Sequence, residues 1–546
     1  MGKGLRKQAF DRSAYEYWST QQGYVVVEGL TTQAVQSAIN SAVRNHQVVL
    51  VPPGMYSLGP LTVSGPCRIV GAGPRYTQWS FTNSASNGLT LASDDIQVEG
   101  IGFQWSPQIT SVTKTLVFAQ NQTHLHLEDF LVTCTPGGGL GMYLVNCDDT
   151  YVAQGTVSGS LGSSGISAHE GARLVITQIR ATNLTYAGGR PFVVEISNTT
   201  DAALSGITVR GLTALASMTQ GAAVIGIEST LRTAVTNCLA ADAVTQGTGN
   251  IEGIVVDRVG TVNPQETTIT NCVIRQMTDD GIDIFHSDSI TVADCISTDN
   301  KGNGIEVYDS VHATLSGNHC LRNKSQGINL YQASQTTMIA NQCRENASNG
   351  INWSAGSTDY GQAVIANNQC LDNNQGNSAN DYDTCGIAIQ SGGTDVMVRG
   401  NLCRNTGSNT TQAYGVGFFN SGWTGLFVEN NDLEGNATAD LYADAAGDIR
   451  YARVTAHTTL NGTTAGNIQW QQSERGLIKQ FTVYVDGYEN DTTTNQTVTF
   501  PYPYLHTPDI AINSSGLTLS ASTTTFTISA PDNTTKYSGM VQVIGL

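Results

Sequence analysis

Five acidic residues lie close together along the chain and are candidates for acid–base chemistry: Asp257, Asp279, Asp280, Asp283 and Glu306. Asp283 and Glu306 hold the same place in two similar segments, Gly281-Ile-Asp-Ile-Phe and Gly304-Ile-Glu-Val-Tyr. On neighbouring strands their Cβ atoms would lie about 5 Å apart, where like charges raise one pKa, as a general acid requires. Paired carboxylates of this kind hydrolyse glycosides, with roughly 5 Å between carboxyl groups for retention and roughly 6.5–9.5 Å for inversion.

Aromatic and polar side chains accompany these acids and are candidates for substrate binding: Phe285, His286, Tyr308, Asn329 and Tyr331. Ligand sites commonly combine aromatic walls with a few placed polar groups, and we expect the tyrosine rings to stack on sugar faces. We predict no metal site and no cofactor, with Ca²⁺ held between the acids as the alternative.

A repeat positions these side chains. Glycines at 281, 304, 327 and 350 are 23 residues apart, which indicates a solenoid. The second and fourth residues of each segment are apolar, as in a strand with one buried face. Stacked in register, such units form a parallel β-helix, in which Asp283 and Glu306 occupy outward positions of successive coils.

The acidic residues also have a structural interpretation. Asn303-Gly304 and Asn349-Gly350 are turn sequences at the corner before each strand, so Asp280-Gly281 is explained equally well as another corner. Under this interpretation Asp279 and Asp280 take no part in chemistry. The pair Asp283 and Glu306 is likewise compatible with a solvated outward face or a binding surface.

Composition narrows the function classes. The 546 residues carry a net charge of −18, with a pI near 4.8 and only 13% charged residues. This argues against nucleic acid or an anionic membrane as the main partner, because both attract basic patches. No apolar run suits membrane insertion, and Met1-Gly-Lys-Gly-Leu-Arg-Lys lacks a secretory h-region, so we expect export by another route, such as assembly into a virus particle.

Six of the eleven cysteines recur once per coil: Cys272, Cys295, Cys320, Cys343, Cys370 and Cys403. Residues at one position of every coil stack, so these predict a column of small buried thiols and folding in a reducing compartment. A metal site is disfavoured because no Cys-x-x-Cys pair exists.

The start of the repeat region carries a family resemblance. An amphipathic helix is predicted after Thr31, followed by Val49-Leu-Val-Pro-Pro-Gly-Met-Tyr56 and Val70-Gly-Ala-Gly73. This pattern resembles the opening of pectate-lyase-like β-helix proteins, including phage tailspikes. The resemblance implies an all-β, right-handed parallel β-helix with an N-terminal capping helix.

We predict four segments. Residues 1–30 are a lead-in or attachment segment, 31–444 the β-helix with its cap, 445–480 a linker, and 481–546 a small antiparallel β-sandwich. In the last segment, Phe500-Pro-Tyr-Pro-Tyr504 resembles C-terminal domains of phage tail proteins, which implies trimerisation or glycan binding.

Asp279-Asp280-Gly-Ile resembles the paired-aspartate motif of polygalacturonase-type glycosidases. The resemblance implies Asp279 or Asp280 as base and Asp257 or Asp283 as acid. The Gly-His-Gly and Arg-Ile-Lys elements of that family are absent from this sequence. Asp283 with His286 distantly resembles the Asp-Pro-His core of mannuronan epimerases, with a spacing that differs by one residue.

These features together favour a tailspike-like virion protein that binds and cleaves a host surface polysaccharide by glycoside hydrolysis. The expected partners are that polysaccharide, other virion tail proteins through the N-terminus, and two further copies in a homotrimer. The expected location is the virion, after assembly in the host cytoplasm. A non-catalytic receptor-binding virion protein is one alternative, and a secreted polysaccharide lyase or epimerase is another.

Overall fold

The computed structural model describes residues 23–106, 114–135, 139–188, 190–218, 221–355, 361–390, 395–406, 411–419, 424–433, 435–443 and the strands between 448 and 545. For 424–426, and almost throughout from 443 onward, the description covers the backbone alone. The chain divides into two compact units, one of residues 1–226 with 244–249 and one of residues 227–243 with 250–546.

The predicted helix is present at Thr32–Asn45. Thr31 precedes it in an extended conformation, and its side chain accepts a hydrogen bond from the Ala34 N–H at 3.3 Å, which satisfies one of the free donors of the first turn. The helix buries the apolar face predicted from its periodicity, including Val35 and Ile39. That it caps the end of the solenoid stays a prediction.

The described part of the first unit after this helix consists mainly of parallel strands that pair into three stacks, the first two of which belong to one sheet. The first stack contains Tyr24–Val26, Val48–Val51, Cys67–Gly71, Ile96–Trp105, His126–Cys134, Tyr151–Ala153, Val175–Thr177 and Thr200–Ser205. The second contains Gly54–Leu58, Thr77–Phe81, Thr156–Leu161, Arg180–Tyr186 and Thr208–Ala214, together with the ends of the two long strands. The third contains Leu61–Val63, Leu89–Leu91, Val117–Gln120, Met142–Val145, Ile166–His169 and Phe192–Ser197. Two further strands, Ala222–Glu228 and Leu239–Thr245, contain two of the three points where the chain passes from one unit to the other.

The second unit repeats the arrangement. Its first stack contains Leu231–Thr236, Gln265–Thr270, Asp288–Ala293, Thr314–Ser316, Thr336–Ile339, Ala363–Ala366, Val396–Arg399, Thr424–Glu429 and Asp448–Arg453. Its second contains Val273–Arg275, Ile296–Thr298, His319–Leu321, Gln342–Arg344, Gln369–Leu371 and Leu402–Arg404. Its third, the site stack, contains Ile251–Asp257, Ile282–Phe285, Ile305–Tyr308, Ile328–Tyr331, Ile351–Ser354, Cys385–Gln390, Tyr414–Phe419, Ala439–Ala443 and Thr458–Leu460.

The six repeated cysteines are all buried and free, as predicted, but they do not form the single column that the sequence predicted. Cys320, Cys343, Cys370 and Cys403 pair in register, whereas Cys272 and Cys295 align with each other and then with Asn318. Beside them runs a ladder that the sequence did not predict, in which each buried asparagine donates through its side-chain amide to the next at 2.9–3.0 Å: Asn318, Asn341, Asn368, Asn401 and Asn431. Folding in a reducing compartment stays a prediction.

Parallel pairing continues beyond the boundary predicted at residue 444, through Asp448–Arg453 and Thr458–Leu460. Thr463–Ala465 then pairs antiparallel with Thr458–Leu460. Two antiparallel sheets follow, and the first of them includes Asn467–Arg475 from the segment predicted as a linker. The packing of the two sheets into a sandwich stays a prediction. The strands are Asn467–Arg475, Ile478–Tyr488, Tyr537–Gly545 and Asp509–Ile512 in one sheet, and Asn495–Thr499, Thr525–Ser529 and Thr518–Ala521 in the other.

The lead-in residues 1–22, expected to attach the chain, lie outside the described residues. Within the described part of the chain, no helix has the length and apolar character needed to cross a membrane.

Candidate functional site

The site stack aligns four polar residues of successive coils: Asp283, Glu306, Asn329 and Asn352. We call these four the site row. The predicted adjacency of Asp283 and Glu306 is therefore confirmed. It follows from the 23-residue period, because equal coil lengths keep the same position of each coil in register.

The exposure expected for Asp283 is wrong. The sequence placed Asp283 on an outward face, but its side chain is 3% exposed and Oδ1 has no hydrogen-bond partner. Two other acids lie against it: one carboxylate oxygen from each of Asp280, Asp283 and Glu306 falls within 4.8 Å of the others. We call these three residues the carboxyl cluster. Asp280 reaches it from the corner before the strand, which sequence alternation within the strand does not reveal.

Asp280 has a structural role at that corner. Its Oδ1 accepts the backbone N–H of Asn303, and Asn303 Oδ1 in turn accepts the backbone N–H of Gln326 at 3.0 Å. The structural interpretation of Asp280 as a corner residue is thus confirmed, yet the same carboxyl group belongs to the carboxyl cluster. Because Asn303 makes the equivalent bond with an amide, the corner itself does not require an acid.

Asp279 lies beside the cluster and is held separately. Its Oδ2 accepts a hydrogen bond from Asn250 Nδ2 at 2.7 Å, and its carbonyl accepts one from Gly302 N at 3.0 Å. Gly302 passes so close that an added Cβ would lie 2.1 Å from Asp280 Oδ1. A glycine is therefore needed here for the carboxyl group of Asp280 to keep its position.

The electrostatics of the cluster favour protonated acids. Burial, followed by the neighbouring Glu306, raises the pKa of Asp280 to about 9. Burial also raises the pKa of Asp283 well above its usual value, and the negative charges of Glu252, Asp280 and Glu306 raise it further. The pKa of Asp279 is raised mainly by burial.

Glu252 is a member of this acidic region that sequence reasoning missed. It precedes Gly253 as Asp280 precedes Gly281, and Ile254 pairs with Ile282, so Glu252 and Asp280 hold equivalent positions of successive coils, although Glu252 already belongs to a strand. The signal was present in the sequence, since the residue before each repeated glycine is the corner residue. Asn250 and Asn303 were also missed, because nothing in their local sequence marks them as partners of acids.

Amides hold Glu306 on both oxygens. Asn303 Nδ2 donates to Oε2 and Asn329 Nδ2 donates to Oε1, each at 3.0 Å. Asn352 Nδ2 then donates to Asn329 Oδ1 at 2.8 Å. Asn352 is 5% exposed, and its Oδ1 has no hydrogen-bond partner. Neutral donors of this kind orient a carboxylate without cancelling its charge.

The aromatic residues predicted for binding form a row beside the acids. The rings of Tyr308 and Tyr331 stack with centroids 5.6 Å apart and an angle of 16° between their planes, and Phe285 meets Tyr308 edge-on at 5.8 Å. Tyr331 is 42% exposed, so it presents part of its ring to solvent. This row is suited to stacking against an apolar face of a ligand.

Asp257 does not join the carboxyl cluster. Val255 pairs with Asp283, so Asp257 lies two residues farther along the strand, beside Phe285. Its Oδ1 lies 3.3 Å from His286 Nδ1, and His286 Nε2 lies 3.6 Å from Asp309 Oδ2. The structure therefore groups Asp257 and His286 at the aromatic end of the site, apart from the acids.

The carboxyl cluster has the geometry of a cation site. Ca²⁺ binds carboxylate oxygens at about 2.3–2.6 Å, so ligands of one ion lie within roughly 5 Å of each other, as the cluster oxygens do. The unpartnered Oδ1 of buried Asp283 also fits a ligand role. Asp280, Asp283 and Glu306 would hold such an ion.

Comparison with known proteins concerns the fold. Residues 252–464 match the family model described as a right-handed beta helix region. No curated protein sequence matches this chain.

Similar solved structures include the A-module of mannuronan C-5 epimerase AlgE4 from Azotobacter vinelandii, with 14% identity, TM-score 0.36, and coverage of 80% of this chain and 97% of the epimerase module. The Dettilon tailspike protein gp208 has 12% identity and a TM-score of 0.41, and the alignment covers 94% of this chain and 90% of the tailspike. Tailspike protein 3 of bacteriophage CBA120 has 13% identity and a TM-score of 0.41, and the alignment covers 81% of this chain and 62% of the tailspike. These similarities are too low to transfer an activity or a residue role. The parallel strand stacks give this chain the fold of a parallel β-helix, and residues 252–464 match the right-handed family model.

Proposed function

We propose that this protein binds and cleaves a polysaccharide by glycoside hydrolysis at the carboxyl cluster. The observation that carries the proposal is the contact between a buried, proton-holding acid, Asp280, and a carboxylate held by two amides, Glu306. Glycoside hydrolysis needs this combination of one carboxylic acid and one carboxylate.

In the proposed reaction Asp280 donates a proton to the oxygen of the departing sugar. A pKa near 9 keeps this acid protonated at neutral pH. Glu306 attacks the anomeric carbon as the bond to the departing sugar oxygen breaks. A water, which gives its proton to Asp280, then attacks the same carbon and displaces Glu306, so that both groups return to their starting states. Carboxyl oxygens within 4.8 Å of each other are closer than the gap of about 6.5–9.5 Å in inverting enzymes.

The other residues of the site serve binding and electrostatics in this proposal. Burial raises the pKa of Asp283, so this residue stays protonated and adds no negative charge beside Asp280 and Glu306. Its Oδ1 has no hydrogen-bond partner. Tyr308 and Tyr331 hold a sugar ring, and Phe285 and His286 extend the aromatic surface. Asn329 orients Glu306.

The wider setting that we propose is a tailspike on a virus particle, with the host surface polysaccharide as substrate, the N-terminus bound to other tail proteins, and a homotrimer as the assembled form. The net charge of −18 and the sequence pattern at Val49–Tyr56 support this proposal. Light scattering of the full chain measures the assembly directly, and a monomeric mass would contradict the trimer.

A second candidate is a polysaccharide lyase or epimerase that uses Ca²⁺, favoured by the unpartnered Oδ1 of Asp283 within the cluster. The ion would neutralise a substrate carboxylate and acidify the neighbouring C–H. A lyase produces an unsaturated sugar that absorbs in the ultraviolet, whereas a hydrolase does not.

The deciding experiment incubates the full chain with purified bacterial surface polysaccharides, in EDTA and in Ca²⁺, and follows reducing ends, ultraviolet absorbance and product masses. Hydrolysis predicts reducing ends with added water and no dependence on Ca²⁺. Binding without products would favour a non-catalytic receptor-binding protein and would contradict the catalytic assignment.

A further inference from the structure

One connection that leads into the site stack is longer than its counterpart in the preceding coil. Cys343 pairs with Cys370, and the glycines at 350 and 386 precede strands that pair with each other. Gly350 follows Cys343 by seven positions, whereas Gly386 follows Cys370 by 16. The extra length lies in residues 372–384, between the strands Gln369–Leu371 and Cys385–Gln390, and we call these residues the inserted segment.

Side chains of the solenoid hold the inserted segment in place. Within it, Asp381–Asp383 forms a single 3₁₀ turn. Asn349 Nδ2 donates a hydrogen bond to the carbonyl of Tyr382 at 2.7 Å, and the hydroxyl of Tyr414 donates to Asp381 Oδ1 at 3.3 Å. The turn is therefore attached both to the corner before the strand Ile351–Ser354 and to a strand of a later coil.

The bond from Asn349 repeats an arrangement found within the site. Asn303 accepts a backbone N–H of the next coil through Oδ1 and donates through Nδ2 to Glu306. Asn349 likewise accepts the backbone N–H of Cys385 through Oδ1 at 2.7 Å and donates through Nδ2 to Tyr382. The same corner donor that holds the carboxylate of Glu306 in one coil thus holds the inserted segment in a later one.

The inserted segment also meets the column that contains the aromatic row. This column consists of Tyr331, Ser354, Gln390 and Phe419, which occupy one position of successive coils. Gln390 Nε2 donates to the carbonyl of Tyr382 at 3.4 Å, and the ring of Tyr382 meets Phe419 edge-on with centroids 6.4 Å apart. Tyr382 therefore lies two to three strand spacings beyond Tyr331, roughly 10–14 Å along the stack.

Tyr382 presents an aromatic ring to solvent from a fixed position. Its side chain is 46% exposed, whereas Phe419 beside it is 5% exposed. Ala388, which follows Asn352 in register, is fully buried. Covering this alanine explains apolar contacts of the inserted segment but not a solvent-exposed tyrosine. An exposed ring on a turn that is already ordered can stack on the C–H face of a sugar at little cost in conformational entropy.

We propose that Tyr382 forms a distal sugar-binding subsite, and that the polysaccharide runs along the site stack from the carboxyl cluster past Tyr331 to the inserted segment. This inference rests on the proposed function and specifies the length of its substrate. The site binds a stretch of several sugar units, and short fragments contact only the rings of Tyr308 and Tyr331. Tyr382 takes part in binding and has no part in bond cleavage.

The test varies the length of the ligand. Purified neutral and acidic bacterial polysaccharides are screened for binding to the full chain, and those that bind are converted by mild acid hydrolysis into size-fractionated oligosaccharides. Tyr382→Ala should weaken binding of the longest fractions about tenfold and leave binding of the shortest unchanged, because these do not reach both Tyr331 and Tyr382. On the intact polymer it should raise KM by a similar factor with little change in kcat.

Two further variants serve as controls. Tyr382→Phe keeps the aromatic ring and should retain the affinity of the unsubstituted chain at every ligand length. Tyr76→Ala removes a tyrosine that is 70% exposed in the other unit and should leave binding unchanged. Thermal unfolding should be the same for all variants, because the solenoid holds the turn through the backbone carbonyl of Tyr382.

The subsite and the proposed function fail in different ways. An unchanged affinity of Tyr382→Ala at every length, or an equal loss at every length, would overturn the subsite while cleavage by the unsubstituted chain leaves hydrolysis standing. A loss confined to long ligands, without cleavage by the unsubstituted chain, would support the subsite and contradict hydrolysis. Absence of binding across the panel would contradict both.

Discussion

Asp280 and Asn303 make the same hydrogen bond on successive coils: each side-chain oxygen accepts the backbone N–H of the residue one coil later. One of the two is an acid and the other is its uncharged isostere. Asn303 shows that this corner folds with an amide. The carboxyl group of Asp280 occurs at the corner that also borders Asp283 and Glu306.

The first prediction follows for Asp280→Asn. The corner bond should persist and the melting temperature should not fall, whereas cleavage should drop about 10²–10⁴-fold, the usual contribution of a general acid. Thermal unfolding and initial rates on the same preparation measure the two effects. A variant that retains most of its activity would remove Asp280 from the reaction.

The second prediction concerns pH. Asp280 is required in its protonated form, so kcat/KM should decline as pH rises through about 9. The same raised pKa affects stability: the folded state binds a proton that the unfolded state releases near pH 4, so this contribution is full below about 4 and is lost as pH rises toward 9. Unfolding free energies between pH 5 and 9 measure the slope, and Asp280→Asn should flatten it. An unchanged slope in the variant would assign the pH dependence to other groups.

The third prediction is a gain of stability at the expense of activity. Asp283 buries a carboxyl group with an unpartnered oxygen, which costs free energy of folding, more so at pH 8 where the unfolded chain is ionised. Asp283→Asn should raise the free energy of unfolding at pH 8 by roughly 1–3 kcal/mol while reducing cleavage. Chemical denaturation measures the change, and a loss of stability would show that the acid is favourable where it lies.

The fourth prediction uses a pair of glycines. Gly302→Ala places a methyl group against Asp280 Oδ1 and should displace that carboxyl group, lowering kcat more than it raises KM. Gly188→Ala is the matched control, because an added Cβ there meets no atom within 4 Å. Equal effects of the two substitutions would contradict a role for Gly302 in positioning Asp280.

The fifth prediction addresses the aromatic row. Tyr331→Ala should weaken glycan binding by about 1–2 kcal/mol with little change in stability, because the ring is half exposed and stacks on Tyr308. Tyr24→Ala removes a more exposed tyrosine in the other unit and should leave binding unchanged. Calorimetric titration with a bound polymer separates the two, and equal affinities would exclude Tyr331 from the binding surface.

Much of the fold was predictable because solenoid folds are encoded locally. The Gly-Ile period, the apolar alternation and the recurring cysteines each repeat once per coil, and stacking converts a period into a register without long-range information. Asp283 and Glu306, Tyr308 and Tyr331 were therefore paired correctly. The end of the parallel strands near residue 460 was less predictable, since the last coils lack the repeated glycine motif.

The candidate site was predictable only in part, because its acids come both from strands and from the corner that precedes a strand. Alternation indicates which side of a strand a residue faces, but it does not show that the corner residue Asp280 folds against Asp283. Alternation and register did place Asp257 beside Phe285, but they did not show that its carboxylate lies against His286 and outside the carboxyl cluster.

The sequence by itself determined the solenoid, its register and the row of acids, amides and tyrosines, because these depend on spacing along the chain. Only the tertiary structure decided that Asp283 is buried, that Asp280 is both a corner residue and a member of the carboxyl cluster, and that Asn352 ends a directed chain of hydrogen bonds. Those properties arise because groups from different coils exclude water from one another. The loss of water around a side chain depends on the packed molecule, so it cannot be predicted from any single segment.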